Sequence, residues 1–156
     1  MGAWGYKFYE NDEAADWLHQ FWSTKSFDLL VKEVEQFDPR NENYDTIRVI
    51  AHILICFGSP YTCPEDFLDQ RSIITKRVLT ILENMINPPN SDWEFLDIWD
   101  NDPTIISEVE NQIIELKKKL YRIYILNKNL LDIKNRCCIV YTTRWMVRCR
   151  CVLRRW

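Results

Sequence analysis

The sequence predicts an all-α fold, a compact bundle of five to six helices with short connections. Apolar side chains recur every three or four residues along most of the chain, which is the spacing of one helix face. No stretch of residues 1–120 shows the sustained alternation of apolar and polar side chains typical of a half-buried strand. With 156 residues, 47% of them apolar, the chain can bury one core. We predict a helical domain over residues 1–120, followed by residues 121–156 as the end of the last helix and a basic tail.

The first helix is predicted to begin after Asn11 or Asp12, either of which can cap it. Gly2 and Gly5 flank Trp4, and glycine permits a positive φ or a close approach to another segment. We therefore expect Trp4 to fold back under this helix and to join its apolar face in the core. That face carries Ala14, Trp17, Leu18, Phe21 and Trp22 at helical spacing.

The second and third helices have recognisable ends. Ser26 is placed to cap the second helix. The third runs from about residue 44 to residue 57, and Gly58 fits the position just after its end. Because it is apolar on most sides, we predict that the third helix is the central one.

Prolines mark the ends of the remaining helices. Pro64 suits the first turn of a fourth helix, which the proline pair at residues 88–89 ends. Residues 91–94 match a capping box for a short helix, and the dipeptide Asp102-Pro103 can cap and start the last long one. That helix has a narrow apolar seam, which either docks on the bundle, the simpler interpretation, or pairs with a second chain. The seam consists of Ile106, Val109, Ile113, Leu116, Leu120 and Ile123.

The net charge of −3 hides a division of charge along the chain. Residues 1–120 carry 22 acidic and 11 basic side chains, a net charge of −11, whereas residues 121–156 carry one acidic and nine basic, a net charge of +8. An acidic domain disfavours nucleic acid, since binding to phosphates needs basic side chains. It favours a basic protein partner.

The end of the chain has its own composition. Residues 136–156 contain four of the six cysteines and six arginines. Residues 139–143 are a candidate strand, and residues 144–155 alternate loosely enough to pair with it in a short hairpin. The same composition also fits a stretch that arises from readthrough or from a shifted reading frame, and the sequence leaves these interpretations open.

The first eighteen residues carry a family resemblance. They read MGAWG, then an aromatic stretch, then NDEAADWL. This pattern resembles the N-terminal signature of a bacterial family, domain of unknown function 4259, although YKFY at residues 6–9 departs from the small or Gly-Pro-containing stretch usual there. Weaker similarity, including the segment around residues 95–99, extends it to about residue 120. The resemblance implies a small helical protein of the kind encoded beside secreted toxins, hence an immunity-type role, and it supplies no catalytic residue.

The acidic stretch at residues 92–102 is the candidate partner-binding surface. Carboxylates there can pair with the lysines and arginines of a basic toxin domain, while Trp93 or Trp99 anchors the contact. We therefore expect a non-enzymatic interaction module that neutralises a toxin by occlusion. The candidate residues are Asp92, Trp93, Glu94, Asp97, Trp99, Asp100 and Asp102.

Two other function classes are weighed against this one. A small hydrolase would use these carboxylates or the pair His52 and Cys56, which are four residues apart on one helix. The apolar surroundings instead favour a packed histidine and an inert, buried thiol. A nucleic-acid binder would act through the arginine-rich tail.

No metal, cofactor or membrane is expected. The cysteine pairs Cys137-Cys138 and Cys149-x-Cys151 lack zinc-ligand spacing and a nearby histidine. The sequence begins with no basic segment followed by an apolar one, and its longest apolar run, near residues 49–57, is too short to span a bilayer. We expect a cytoplasmic protein with reduced thiols.

Overall fold

The computed structural model describes residues 4–59 and 62–139, with side chains as far as residue 125. Its chain groups into two compact units, Met1–Ile123 and Tyr124–Trp156. The helical bundle is the first unit. The all-α prediction is confirmed, since the described part contains six α-helices, two short 3₁₀ turns and no strand. The helices are α1 Asp12–Thr24, α2 Phe27–Gln36, α3 Tyr44–Phe57, α4 Arg71–Ile86, α5 Phe95–Ile98 and α6 Pro103–Ile139.

Helix α3 is the centre of the bundle, as predicted. Nine of its fourteen residues are buried, and it packs against α1, α2 and α4. The fourth helix, α4, begins at Arg71 and not at Pro64, and its residues Ile74, Val78, Ile81 and Met85 are buried. A 3₁₀ turn, Glu65–Phe67, comes before it. The largest fully buried apolar side chains include Phe95, Leu30, Ile47, Ile50, Leu54, Leu82, Met85, Ile105 and Leu116.

Local side chains cap α1 and α2 where the sequence predicted. Asn11 accepts a hydrogen bond from the Ala14 amide at 2.7 Å, and Ser26 accepts one from the Asp28 amide at 3.0 Å. The prediction of a capping box at residues 91–94 is wrong, because α5 begins at Phe95 with no side-chain cap. Asn90 instead accepts from the Asp92 amide and forms a turn before it.

Of the three tryptophans expected in the core, only Trp17 is buried, with 6% of its surface exposed. Trp22 is 51% exposed and makes edge contacts with Phe21 and Phe57. Trp4 is 63% exposed, so the prediction that it folds under α1 is wrong. Its loop runs toward the junction of α5 and α6 instead.

Helix α6 docks on the bundle within the first unit. Its buried residues Ile105, Val109, Ile113 and Leu116 belong to the common core. Gln112 donates to the carbonyl of Arg48 on α3 at 2.9 Å, and Lys117 pairs with Glu83 of α4 at 2.8 Å. The helix continues as far as Ile139, the first residue of the predicted strand. The rest of the predicted hairpin lies outside the described residues.

Candidate protein-binding cleft

Glu10 organises the loop that precedes α1. Its carbonyl accepts hydrogen bonds from the amides of Trp4 (3.0 Å) and Gly5 (3.2 Å), and its carboxylate accepts one from the Lys7 amide at 3.1 Å. A Cβ on Gly5 would come within 2.1 Å of the Glu10 carboxylate. No described glycine has a positive φ, so Gly5 serves close approach and not an unusual backbone conformation.

Tyr6 ties this loop to the junction of α5 and α6. Its hydroxyl donates to the Asp102 carboxylate at 2.8 Å, and its ring centre lies 5.8 Å from that of Trp99. Its carbonyl accepts from Arg48 of α3 at 2.5 Å. The loop is therefore held through both backbone and side chain.

Arg48 is a buried charge beneath the loop. Only 1% of its side chain is exposed, and its guanidinium pairs with Asp45 at 2.9 Å. Burial lowers the pKa of Arg48 and raises the pKa of Asp45, while their ion pair opposes both shifts. Removing Asp45 would leave the Arg48 charge buried and uncompensated, so the ion pair keeps the guanidinium in place under the Tyr6 carbonyl.

The end of α5 is a Schellman motif built without glycine. The amide of Asn101 donates to the carbonyl of Leu96 at 2.8 Å, and that of Asp100 donates to Asp97 at 3.2 Å. Asp100 and Asn101 both have positive φ, 49° and 56°. These residues turn the chain sharply, so that the carboxylate of Asp100 and the start of α6 lie beside the Tyr6 loop.

Asp102 caps α6 as predicted, by accepting from the Thr104 amide at 2.7 Å. The Thr104 amide, the Tyr6 hydroxyl and the Thr104 hydroxyl stabilise its ionised form, and they hold its pKa below the ordinary value of 3.8. Tyr6 correspondingly has a raised pKa, chiefly because its hydroxyl donates to this carboxylate. Asp102 is therefore a structural anion at neutral pH.

Between the Tyr6 loop and the α5–α6 junction lies an open cleft of about 490 Å³. Its described lining carries two carboxylates and no basic side chain. Trp4, Tyr6 and Ile98 expose 63%, 40% and 49% of their surfaces. The cleft therefore combines exposed aromatic and apolar side chains with polar groups, and both of its charged side chains are negative. Its lining residues are Trp4, Gly5, Tyr6, Ile98, Trp99, Asp100, Asn101, Asp102 and Pro103.

The structure brings together only part of the predicted site. Trp99, Asp100 and Asp102 line the cleft, and Asp97 is exposed one turn before Asp100. The remaining predicted residues, Asp92, Trp93 and Glu94, lie at the start of α5 and outside the cleft lining.

The other end of the predicted site serves packing. The ring centre of Trp93 lies 5.7 Å from that of Phe37 and 6.3 Å from that of Tyr44. The Glu94 amide donates to the Tyr44 hydroxyl at 3.0 Å, whereas the carboxylates of Asp92 and Glu94 are exposed. Trp93 thus has neighbours already and is a poor anchor for a partner.

Sequence reasoning missed the aromatic half of the cleft. Trp4 was assigned to the core because large aromatic side chains usually bury. The available signal was its placement between two glycines in a loop, outside any helical stripe. Tyr6 gave no signal, because its partners Arg48 and Asp102 are 42 and 96 residues away along the chain.

His52 and Cys56 do come together, but in a different setting from the one predicted. The Cys56 sulfur lies 3.3 Å from Nε2 of His52, and Cys56 is exposed rather than buried. His52 is half-buried and stacks on Phe8, with ring centres 4.0 Å apart. Neither residue lines the cleft.

In the described part of the chain, no three His, Cys, Asp or Glu side chains gather as metal ligands. Over the same residues, no helix combines the length and apolar content that crossing a bilayer requires.

The chain matches the family model described as domain of unknown function (DUF4259) over residues 2–112. It belongs to the DUF4259 family. The matched range contains the Tyr6 loop, the central helix and every residue of the cleft lining. No curated protein and no solved structure matches the chain. The DUF4259 match therefore supports the resemblance seen at residues 1–18 and leaves the function to be argued from the cleft.

Proposed function

We propose that this DUF4259 protein is a non-catalytic interaction module whose cleft binds a basic segment of a partner protein. The observation that carries the proposal is Trp4, which is 63% exposed on a loop that is fixed to the fold. Exposed tryptophans in fixed positions supply a large share of binding energy in protein interfaces. Trp4 replaces Trp93 and Trp99 as the proposed anchor.

The loop that carries Trp4 is preorganised. Arg48 and Asp102 hold Tyr6, and Glu10 holds the backbone of Trp4 itself. Binding therefore orders few side chains, and less of the interaction energy is lost to entropy. The buried ion pair that maintains this surface is better explained by recognition of a partner than by a need for solubility.

Charge defines the partner's chemistry. Asp97, Asp100 and Asp102 lie in or beside a cleft whose described lining has no basic residue, and residues 1–120 carry a net charge of −11. Lysine and arginine side chains can pair with the carboxylates and pack on the faces of Trp4 and Tyr6. The overall charge would also speed the encounter with a basic partner.

The cleft is less suited to acid–base catalysis. It does contain two carboxylates, Asp100 and Asp102, as a hydrolase would need. However, the hydrogen bonds to Asp102 lower its pKa, whereas a general acid at neutral pH needs a raised one. The arrangement favours binding.

An immunity-type role is the specific form of this proposal. It rests on the family's similarity to small helical proteins encoded beside toxins and on the acidic cleft, which suits the phosphate-gripping lysines and arginines of a basic nuclease. On this view the partner is a toxin domain encoded by a neighbouring gene, and binding occludes its basic active site.

Site-specific photocrosslinking tests the proposal. A benzoylphenylalanine at Ile98, inside the cleft, is compared in the native host with one at Ile73, which is 68% exposed on α4. The proposal expects a basic protein to crosslink to position 98 and not to position 73. The capture supports the proposal only if the captured protein, once purified, binds the wild type. It must also bind the Asp97→Asn, Asp100→Asn double variant at least about tenfold more weakly.

The outcomes separate the two levels of the proposal. Capture of a neutral or acidic protein, or unchanged affinity of the double variant, overturns binding through charge. If the captured protein is basic but its toxicity is not suppressed by co-expression, the immunity role fails and the binding module stands.

A further inference from the structure

Cys56 and His52 form a thiol–imidazole pair that the proposed function does not use. They lie one turn apart on α3, with Sγ and Nε2 separated by 3.3 Å. Phe8 stacks on the imidazole at 4.0 Å and an interplanar angle of 22°, so the ring is held in place by the loop that precedes α1. The pair therefore does not depend on a chance rotamer of an exposed histidine.

The two groups have suitable exposure for reaction with a small molecule. Cys56 is exposed, so a reagent can reach the sulfur. His52 is half-buried, and this burial lowers the pKa of its imidazole, so the ring is neutral at neutral pH. In the tautomer protonated at Nδ1, Nε2 is free to accept the thiol proton.

We propose that Cys56 is a modification site, at which His52 assists attack of the thiol on low-molecular-weight disulfides. The thiol proton passes to Nε2 of His52, and the thiolate attacks one sulfur of the disulfide. The new sulfur–sulfur bond forms as the old one breaks, and the departing thiolate takes the proton back from the imidazolium. The products are a mixed disulfide on Cys56 and one small thiol, with no net oxidant consumed beyond the disulfide.

Cys63 provides an internal comparison. It is a free thiol on the same unit but is half-buried, and burial raises the pKa of its thiol. Thiolate is the attacking species, so a raised pKa slows the reaction at neutral pH. The two cysteines differ in the features that the proposal depends on, exposure and a neighbouring base.

The test uses the reduced full-length protein and oxidised glutathione at pH 7. Aliquots are quenched with acid, and mixed disulfides are located by mass spectrometry of peptides, so the tail cysteines need no replacement. We expect Cys56 to react at least about tenfold faster than Cys63. His52→Asn should slow Cys56 by about fivefold or more and leave Cys63 unchanged. His19→Asn, which changes the chain's other histidine, should have no effect.

A second variant covers the case in which His52→Asn disturbs the fold. Phe8→Leu removes the ring that stacks on His52 and should also slow Cys56 selectively. The proposal is overturned if Cys56 reacts no faster than Cys63 in the wild type. It is equally overturned if His52→Asn and Phe8→Leu, both with wild-type circular dichroism, leave the rate at Cys56 unchanged.

Discussion

Asp102 joins two parts of the fold through one carboxylate. It caps α6 through the Thr104 amide and holds the Tyr6 loop through the tyrosine hydroxyl. The cap was predictable from the dipeptide Asp102-Pro103, because capping depends on neighbours in sequence. The bond to Tyr6 was not, because it depends on where two distant segments meet.

Removing the Tyr6 hydroxyl should change the titration of Asp102. The hydroxyl stabilises the ionised carboxylate, so Tyr6→Phe should raise the pKa of Asp102 toward its ordinary 3.8. The pKa of Asp102 is measured from its carboxyl carbon shift by NMR between about pH 2 and about pH 6, a range that spans this value. Tyr9→Phe, an exposed tyrosine of the same loop, is the control and should leave the pKa unchanged.

The lowered pKa of Asp102 also gives a pH dependence of stability. A carboxyl whose pKa is lower in the folded state stabilises the fold above its unfolded pKa, and this contribution disappears as the pH falls through the folded pKa. The wild type should therefore exceed Asp102→Asn in unfolding free energy at pH 7 and lose this advantage below about pH 3.8. Urea titrations of both proteins measure it, and an advantage that grows on acidification would contradict the assignment.

At the scale of the helices, periodicity and local caps predicted most of the bundle. The start of α3, like those of α4 and α5, has no cap from a neighbouring side chain, and Asn43 makes none. Glu13 of α1 accepts instead from the Thr46 amide at 3.1 Å and from the Thr46 hydroxyl at 2.6 Å. A capping residue 33 positions away leaves no sequence pattern. Burial raises the pKa of Glu13, which the Thr46 bonds partly offset.

Glu13→Ala should remove this cap. The amide and hydroxyl of Thr46 would lose their acceptor, and we expect the unfolding free energy to fall by about 1 kcal/mol. Asp16→Ala, an exposed acid on the same helix, should change it by less than about 0.5 kcal/mol. Denaturant melts provide the comparison. Equal effects of the two substitutions would mean that Glu13 does not cap α3.

The turn after α5 predicts opposite effects for two glycine substitutions. Asp100 has a positive φ, so Asp100→Gly should relieve backbone strain and stabilise the fold by about 0.5–1 kcal/mol. Asp97 lies within α5, so Asp97→Gly should destabilise it slightly, by about 0.3 kcal/mol, because aspartate is itself a poor helix former. Both changes remove one negative charge, which isolates the backbone effect. Thermal melts that move in the same direction for both variants would contradict the Schellman assignment.

At the scale of the whole molecule, the sequence predicted the bundle but not the aromatic cleft. Helical periodicity indicates which face is buried, whereas Trp4 and Tyr6 lie in a loop with no periodicity. The position of their loop depends on Arg48, a charge buried in a mostly apolar helix. The prediction that Trp4 is buried is wrong because hydrogen bonds to Arg48 and Asp102 hold its loop at the junction of α5 and α6.

The charge distribution predicts where a generic basic ligand binds. A hexalysine peptide added to the ¹⁵N-labelled protein at low salt should shift the indole signal of Trp4 and the amides of residues 97–103. The binding should weaken as ionic strength rises. The amides of Glu83 and Ile114, in the separate groove between α4 and α6, serve as controls. Shifts spread evenly over the acidic residues would indicate a general field without a site.

The most direct test compares two exposed tryptophans in one binding assay. Trp4 and Trp22 expose similar fractions of their side chains, but only Trp4 lines the cleft. With the partner captured at position 98, calorimetry should show that Trp4→Ala weakens binding by about 30-fold or more, or about 2 kcal/mol. Trp22→Ala should stay within about twofold of wild type. Equal affinities of the two variants, or a greater loss for Trp22→Ala, would contradict the account.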